Sequence, residues 1–212
     1  MSINHLTKAS LTTGAVGALA STADAGQSGA VKELINGIKD ADDKVRTQAW
    51  LNAGQAGAAA VKPLAEVMTH DDLEVARAAK RALWKIVRHA GRPRAVKEKR
   101  AVEAELVELL GKDQPVPVRR EVIWMLSEIG ARDAVKGIAR LIANKALRED
   151  ARMALERIPN KQALQALKFR FKKAPEDFKP NMAQSLRKRG VEVDGYPCQK
   201  LVPKKKTNLK PL

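Results

Sequence analysis

Apolar positions along the chain follow one layout, repeated five times. Each block opens with an apolar helix, passes through a short polar turn and enters a second helix. The second helix carries its apolar residues at offsets 0, 4, 8 and 11. At about 100° per residue, those offsets share one helical face. The blocks are Val31–Gly57, Val61–Val87, Val102–Gly130, Ala134–Pro159 and Ala163–Gly190. Their second-helix stripes are Val45/Ala49/Ala53/Ala56, Val75/Ala79/Leu83/Ile86, Val118/Val122/Leu126/Ile129 and Leu147/Ala151/Leu155/Ile158. The fifth stripe is Phe178/Met182/Leu186, with Arg189 in the slot that is apolar elsewhere. First helices carry stripes of their own, such as Leu64/Val67/Met68 and Ile138/Leu141/Ile142. A single helical pair cannot bury both of its apolar faces, whereas a stack of pairs can.

Three of the four intervals between the anchors are nearly equal and one is long. The anchors 45, 75, 118, 147 and 178 are separated by 30, 43, 29 and 31 residues. The surplus coincides with residues 88–100, RHAGRPRAVKEKR, which hold Gly91 and Pro93. That stretch is expected to be a surface insertion between the second and third repeats.

The motifs Asp40…Val45-Arg46…Ala49, Val118-Arg119…Met125-Leu126…Ile129-Gly130 and Leu147-Arg148…Ala151…Ala154-Leu155 resemble the HEAT-repeat family, a HEAT-like, armadillo-type group. The resemblance covers residues 31–190. It implies an all-α fold: a right-handed α-solenoid of about five HEAT-like helical hairpins, with second helices lining the concave side. It also implies a non-enzymatic binding scaffold. Within the family an Arg just after the anchor commonly pairs with turn carboxylates. Arg46, Arg119 and Arg148 are therefore expected to form a structural ladder, with Asp40, Asp43, Asp71, Asp72 and Asp113 as available acids.

Charge sharpens this picture. The 212 residues carry 40 Lys and Arg against 24 Asp and Glu, a formal net charge of +16. The excess is uneven: residues 88–100 contribute +5 and residues 159–212 contribute +10, while the first four repeats are nearly balanced. A balance of this kind points to an anionic partner, an acidic protein or other polyanion, with nucleic acid as the alternative. On the second helices, offsets 2, 5, 6 and 9 lie opposite the core stripe. There stand Arg77, Lys80, Arg81 and Trp84, followed by Arg88 one turn on, and Arg120 and Trp124 in the third repeat. Trp50 is off the stripe in the first repeat. Arg77, Lys80, Arg81, Trp84, Arg88, Arg120 and Trp124, with Arg92 and Arg94 of the insertion, form the expected anion- or partner-binding face. Each Trp is equally readable as a wedge between neighbouring helices.

The termini extend the expectation. Residues 1–30 read as a flexible leader or a weak signal peptide, with Ala23-Asp24-Ala25 offering a cleavage site after Ala25. An intact chain would be cytoplasmic and a cleaved one exported. Residues 191–212 read as a basic, disordered tail, with Lys204, Lys205 and Lys206 as further contacts. No stretch approaches the ~20 apolar residues of a membrane-spanning helix. The chain is expected to be a monomer unless bound to its partner.

Catalytic chemistry finds little footing. The lone Cys198 and the scattered His5, His70 and His89 make no metal spacing, and no cofactor is expected. Some HEAT-like proteins, certain DNA glycosylases and bilin lyase subunits, are tied to catalysis. A glycosylase would need a carboxylate beside aromatics, and here Glu121 and Glu128 flank Trp124, but no motif matches residue by residue. No catalytic residue is assigned. His70-Asp71-Asp72 reads as a helix cap.

Overall fold

The computed structural model describes residues 29–130 and 132–197. Among them are ten α-helices and no strand. Helix α1 covers residues 29–38. It is followed by α2 (Asp43–Asn52), two short 3₁₀ turns (Ala53–Ala56 and Ala58–Ala60), α3 (Val61–Val67), α4 (Leu73–Ala90) and α5 (Val96–Glu108). Then come α6 (Val116–Glu128), α7 (Val135–Leu141), α8 (Arg148–Arg157), α9 (Lys161–Lys173) and α10 (Lys179–Lys188). The class is an all-α repeat fold of the α-solenoid type, as the stripes require. The chain divides into two compact units at Leu109/Leu110.

In the first unit, α3 and α5 pack on α4, and α2 packs beside α4. The stripe of α4 is sealed: Val75, Ala79, Leu83 and Ile86 are all buried, with Leu64 and Leu106 filling the seam from α3 and α5. The helix starts where Asp72 accepts hydrogen bonds from the backbone N–H of Glu74 (2.8 Å) and Val75 (3.4 Å). These bonds satisfy two of the orphan donors of the first turn. They also hold the Asp72 carboxyl below its ordinary range. Close approach of α1 to α2 depends on Gly37, where an added Cβ would stand 2.9 Å from the Ala49 side chain.

The first repeat keeps its stripe only in part. Ala53 is buried, but α2 buries nothing and Val45 is 42% exposed. The helix gives way to 3₁₀ turns at Ala53 rather than running on to Ala56. Leu34, Val45, Ala49, Ala53 and Ala56 instead line an open groove of about 770 Å³.

The basic surplus differs most from expectation. Residues 88–90 are the last turn of α4 and residues 96–100 the first turn of α5, so only Gly91–Ala95 lie between helices. The insertion is absorbed as helix length rather than as a surface loop. Arg, Lys, Ala and Glu are good helix formers, and only Gly91 and Pro93 interrupt them. Arg92 fastens the corner. Its guanidinium donates to both carboxylate oxygens of Glu98, at 2.6 and 2.7 Å, and to the His89 carbonyl at 2.7 Å. The pair raises the Arg92 pKa and lowers that of Glu98. Arg94 takes a left-handed backbone, φ 68°, the one such non-glycine among the described residues. That conformation costs roughly 1 kcal/mol in an L-residue.

In the second unit, α7 and α9 pack side by side, α8 packs against α6, α7, α9 and α10, and α9 pairs with α10. The expected stripes close over Val118, Val122, Leu126, Leu147, Ala151, Leu155, Phe178, Met182 and Leu186, all buried. Arg189, the residue that breaks the fifth stripe, has a distinct task. Its guanidinium donates to the carbonyls of Leu155 (3.0 Å), Glu156 (3.1 Å), Ile158 (2.5 Å) and Asn160 (3.0 Å). These are carbonyls at the end of α8 and just beyond it, where helices leave acceptors without internal partners. The cation also sits where the helix dipole favours positive charge.

Candidate functional site

The expected ladder is present in pieces. Arg46 donates to the Asp40 carbonyl at 2.7 Å and pairs with Asp43 at 3.3 Å, within its own repeat. Arg148 reaches Asp177 of the next repeat at 2.8 Å, and this bond holds the Asp177 carboxyl low. Arg119 is 5% exposed and its Nε has no hydrogen-bond partner among the described residues. One repeat before Asp177, also one place before the anchor, stands Ala146. The rung that would serve Arg119 is therefore missing a carboxylate.

The expected binding face draws on the second helices of repeats two and three, α4 and α6, which fall in separate units. In the first unit α2 and α4 lie alongside, and Trp50 of α2 meets two cations of α4. The Arg81 guanidinium lies 5.5 Å and the Lys85 ammonium 5.7 Å from its ring centroid. One turn further along α4, Arg88 lies 5.2 Å from the Trp84 ring. Both indoles are half-buried, so each is partly packing and partly surface. Such cation–ring contacts are worth about 0.5–1 kcal/mol at exposed sites. They hold long side chains in place. Among the described residues Arg81, Lys85 and Arg88 make no ion pair. Arg77, by contrast, is paired with Glu74 at 2.7 Å, and Arg92 is taken by Glu98. Arg94 is exposed at the corner, and Lys80 is half-buried with contacts of its own.

Lys85 and Trp50 complete this cluster and were not among the expected site residues. The spacing held the clue: Lys85 stands four residues after Arg81, so both reach the same neighbour across the helix seam.

In the second unit the expected pair is committed internally. Arg120 donates to Asp150 at 2.9 Å and to the Ala146 carbonyl at 2.9 Å. The Trp124 indole N–H donates to the other Asp150 oxygen at 3.0 Å. Asp150 thus pins α8 to α6, and Arg120 and Trp124 read as fastening residues. Glu128, one of the carboxylates flanking Trp124, pairs with Arg157 at 2.8 Å, and that Arg lies 5.6 Å from the Trp124 ring. Nearby, Arg152 bonds Glu149, Glu156 and Ser185, and Lys188 pairs with Glu156 at 2.7 Å. Burial pushes the Glu156 carboxyl up. Hydrogen bonds from Lys188 and Ser185 and the charge of Arg152 outweigh it and hold the group below its ordinary value.

Among the described residues no group of three His, Cys, Asp or Glu side chains is placed to hold a metal ion. Nor is any helix long and apolar enough to cross a membrane. Lys204, Lys205 and Lys206, Cys198 and the Ala25 cleavage site lie outside the described residues.

Apolar second-helix stripes, paired helices and cross-repeat fasteners define an α-helical repeat protein. Residues 103–187 match the family model of HEAT repeats. That stretch, from the second half of α5 to α10, is the part of the chain in which the HEAT-type repeat pattern is recognised. Among solved structures, it resembles a computationally designed armadillo repeat protein for modular peptide recognition. The identity is 21%, over 76% of this chain and 82% of that one, with a TM-score of 0.41. A designed armadillo repeat protein in complex with the peptide (KR)4 is 20% identical over the same shares, with a TM-score of 0.42. An engineered protein is 22% identical over 74% of this chain and 78% of that one, with a TM-score of 0.40. No curated protein matches the chain.

Proposed function

We propose that this chain is a non-enzymatic binding scaffold that holds an acidic protein on the second-helix face of its first unit. The contacts are Arg81, Lys85 and Arg88, framed by Trp50 and Trp84, with Arg94 at the corner between α4 and α5. The basic tail, Lys204 to Lys206, adds charge to the same encounter. One observation carries the reading: three cations are held against indole rings and make no ion pair among the described residues. Arg77, Arg92 and Arg120, by contrast, are neutralised by Glu74, Glu98 and Asp150. Electrostatic complementarity of this kind speeds encounter and selects charge, and salt screens it.

A phosphate backbone presents the same charge and is the alternative ligand. Cations already lie over Trp50 and Trp84, so a base would have to displace them to stack. That favours carboxylates.

The test is a titration of labelled polyglutamate and of duplex DNA against the full chain, at low and high salt, read by anisotropy. Polyglutamate should bind with marked salt sensitivity. R81E/K85E should weaken it by about tenfold, or ~1.4 kcal/mol. R120E should lower the melting temperature and leave the affinity in place. Unchanged affinity in R81E/K85E removes this face from the function. DNA binding tighter than polyglutamate at equal salt replaces the acidic protein with nucleic acid.

A further inference from the structure

The second unit carries another surface, on its first helices, that the repeat register did not single out. Helices α7 and α9 pack side by side and leave a groove of about 540 Å³ between their outer faces. Its floor is apolar, formed by Val135, Ala139 and Ala166. Phe169 borders it and is 53% exposed, unusual for a residue of that size. Cations rim both walls: Arg132, Lys136 and Arg140 from the α7 side, Arg170 from α9. Lys173 lies 4.5 Å and Arg170 5.9 Å from the Phe169 ring centroid. Among the described residues none of these five cations makes an ion pair, and Asp133 is the one acid in the lining.

We infer that this groove docks an acidic polypeptide segment, with one apolar side chain inserted beside Phe169 and carboxylates on either side meeting the two basic walls. Charge excludes the nearer candidates. A second copy of this chain would bring a net charge of +16 onto a basic rim, and the chain's own C-terminal residues, PKKKTNLKPL, are basic as well. A nucleic acid matches the walls but leaves the apolar floor unused. An acidic segment with an apolar anchor satisfies both, as interfaces with a buried anchor and a polar rim do. The groove lies wholly within the second unit, and its use stands apart from the face proposed above.

The test uses the full chain carrying R81E/K85E, which silences the first unit's cationic face. The probe is the peptide EEDLLEEDLE with photo-leucine at its central position. A second peptide has every leucine replaced by serine, and a third probe is oligothymidylate of matched charge. The expected result is crosslinking to α7 and α9. The serine peptide should bind about tenfold more weakly, as should the parent peptide to a K136E/R140E variant; each is ~1.4 kcal/mol. F169S should weaken the leucine peptide and leave the serine peptide unchanged. Lys136, Arg140 and Phe169 are exposed, so these variants keep the fold, which circular dichroism checks. The proposal is overturned by crosslinks that map elsewhere, by equal affinity for the serine peptide, or by oligothymidylate binding as tightly with the same dependence on Lys136 and Arg140.

Discussion

Arg189→Leu is the most discriminating change to the fold. It restores the apolar residue that the repeat pattern calls for at the fourth slot. On the pattern alone it should be neutral or stabilising. On the structure it removes the one side chain that binds four carbonyls at the end of α8, from Leu155 to Asn160. A single hydrogen bond contributes about 0.5–1.5 kcal/mol net, and bonds from a charged donor are stronger. Four bonds from one guanidinium are not additive, and part of the helix end can recruit water. Leucine would recover some apolar burial in exchange. The balance is a loss of about 2–3 kcal/mol. For a chain of this length each kcal/mol moves the melting temperature by ~2–4 °C, so a fall of roughly 5–10 °C is expected. Arg189→Lys should fall between wild type and leucine, because a point charge remains but the fork is lost. Calorimetry with the far-UV spectrum as a fold check reads all three. A leucine variant as stable as wild type would refute the clamp and return Arg189 to the status of a tolerated irregularity.

Two further outcomes follow from the fasteners. Ala146→Asp supplies the carboxylate missing beside Arg119 and should raise stability by about 1 kcal/mol, or ~2–4 °C. The gain should vanish in an Arg119→Met background; a gain that persists there would mean that the helix terminus, not the ladder, is responsible. The carboxyls of Asp72, Glu98, Glu156, Glu176 and Asp177 all have lowered folded values. Their contribution is present above the ordinary carboxyl range and is lost as pH falls through the lowered values. Stability should therefore hold level above about pH 5 and decline below about pH 4. Glu156→Gln should make that acid limb shallower, and parallel limbs would contradict the assignment.

The repeats were legible because a buried helix face imposes a 3.6-residue period whatever its neighbours are. Every second-helix stripe from Val75 to Leu186 closes as the offsets require. The tryptophans were legible as off the stripe for the same reason. What the spacing could not show is which charges are already matched. Arg77, Arg92 and Arg120 looked equivalent to Arg81, yet their acids stand 3, 6 and 30 residues away. The last distance is set by the stacking of one repeat on the next. The 88–100 stretch looked like a loop because Gly91 and Pro93 mark a break; the break is real but five residues long, and the flanking residues extend helices. The groove beside Phe169 was hidden for a further reason. It is made by first helices of adjacent repeats, and neither contributes more than an ordinary-looking run by itself.

The three tryptophans equip this chain with optical reporters of its own. Trp50 and Trp84 sit under cations on the first unit, and Trp124 has its indole N–H held by a carboxylate on the second. Replacing them by phenylalanine in turn separates the fluorescence of the two units. A ligand arriving at the first unit would change the emission of Trp50 and Trp84 by moving the cations over their rings. Loss of the Asp150 bridge would change that of Trp124. Occupancy of one half and integrity of the other become separately visible in a single cuvette, without a label.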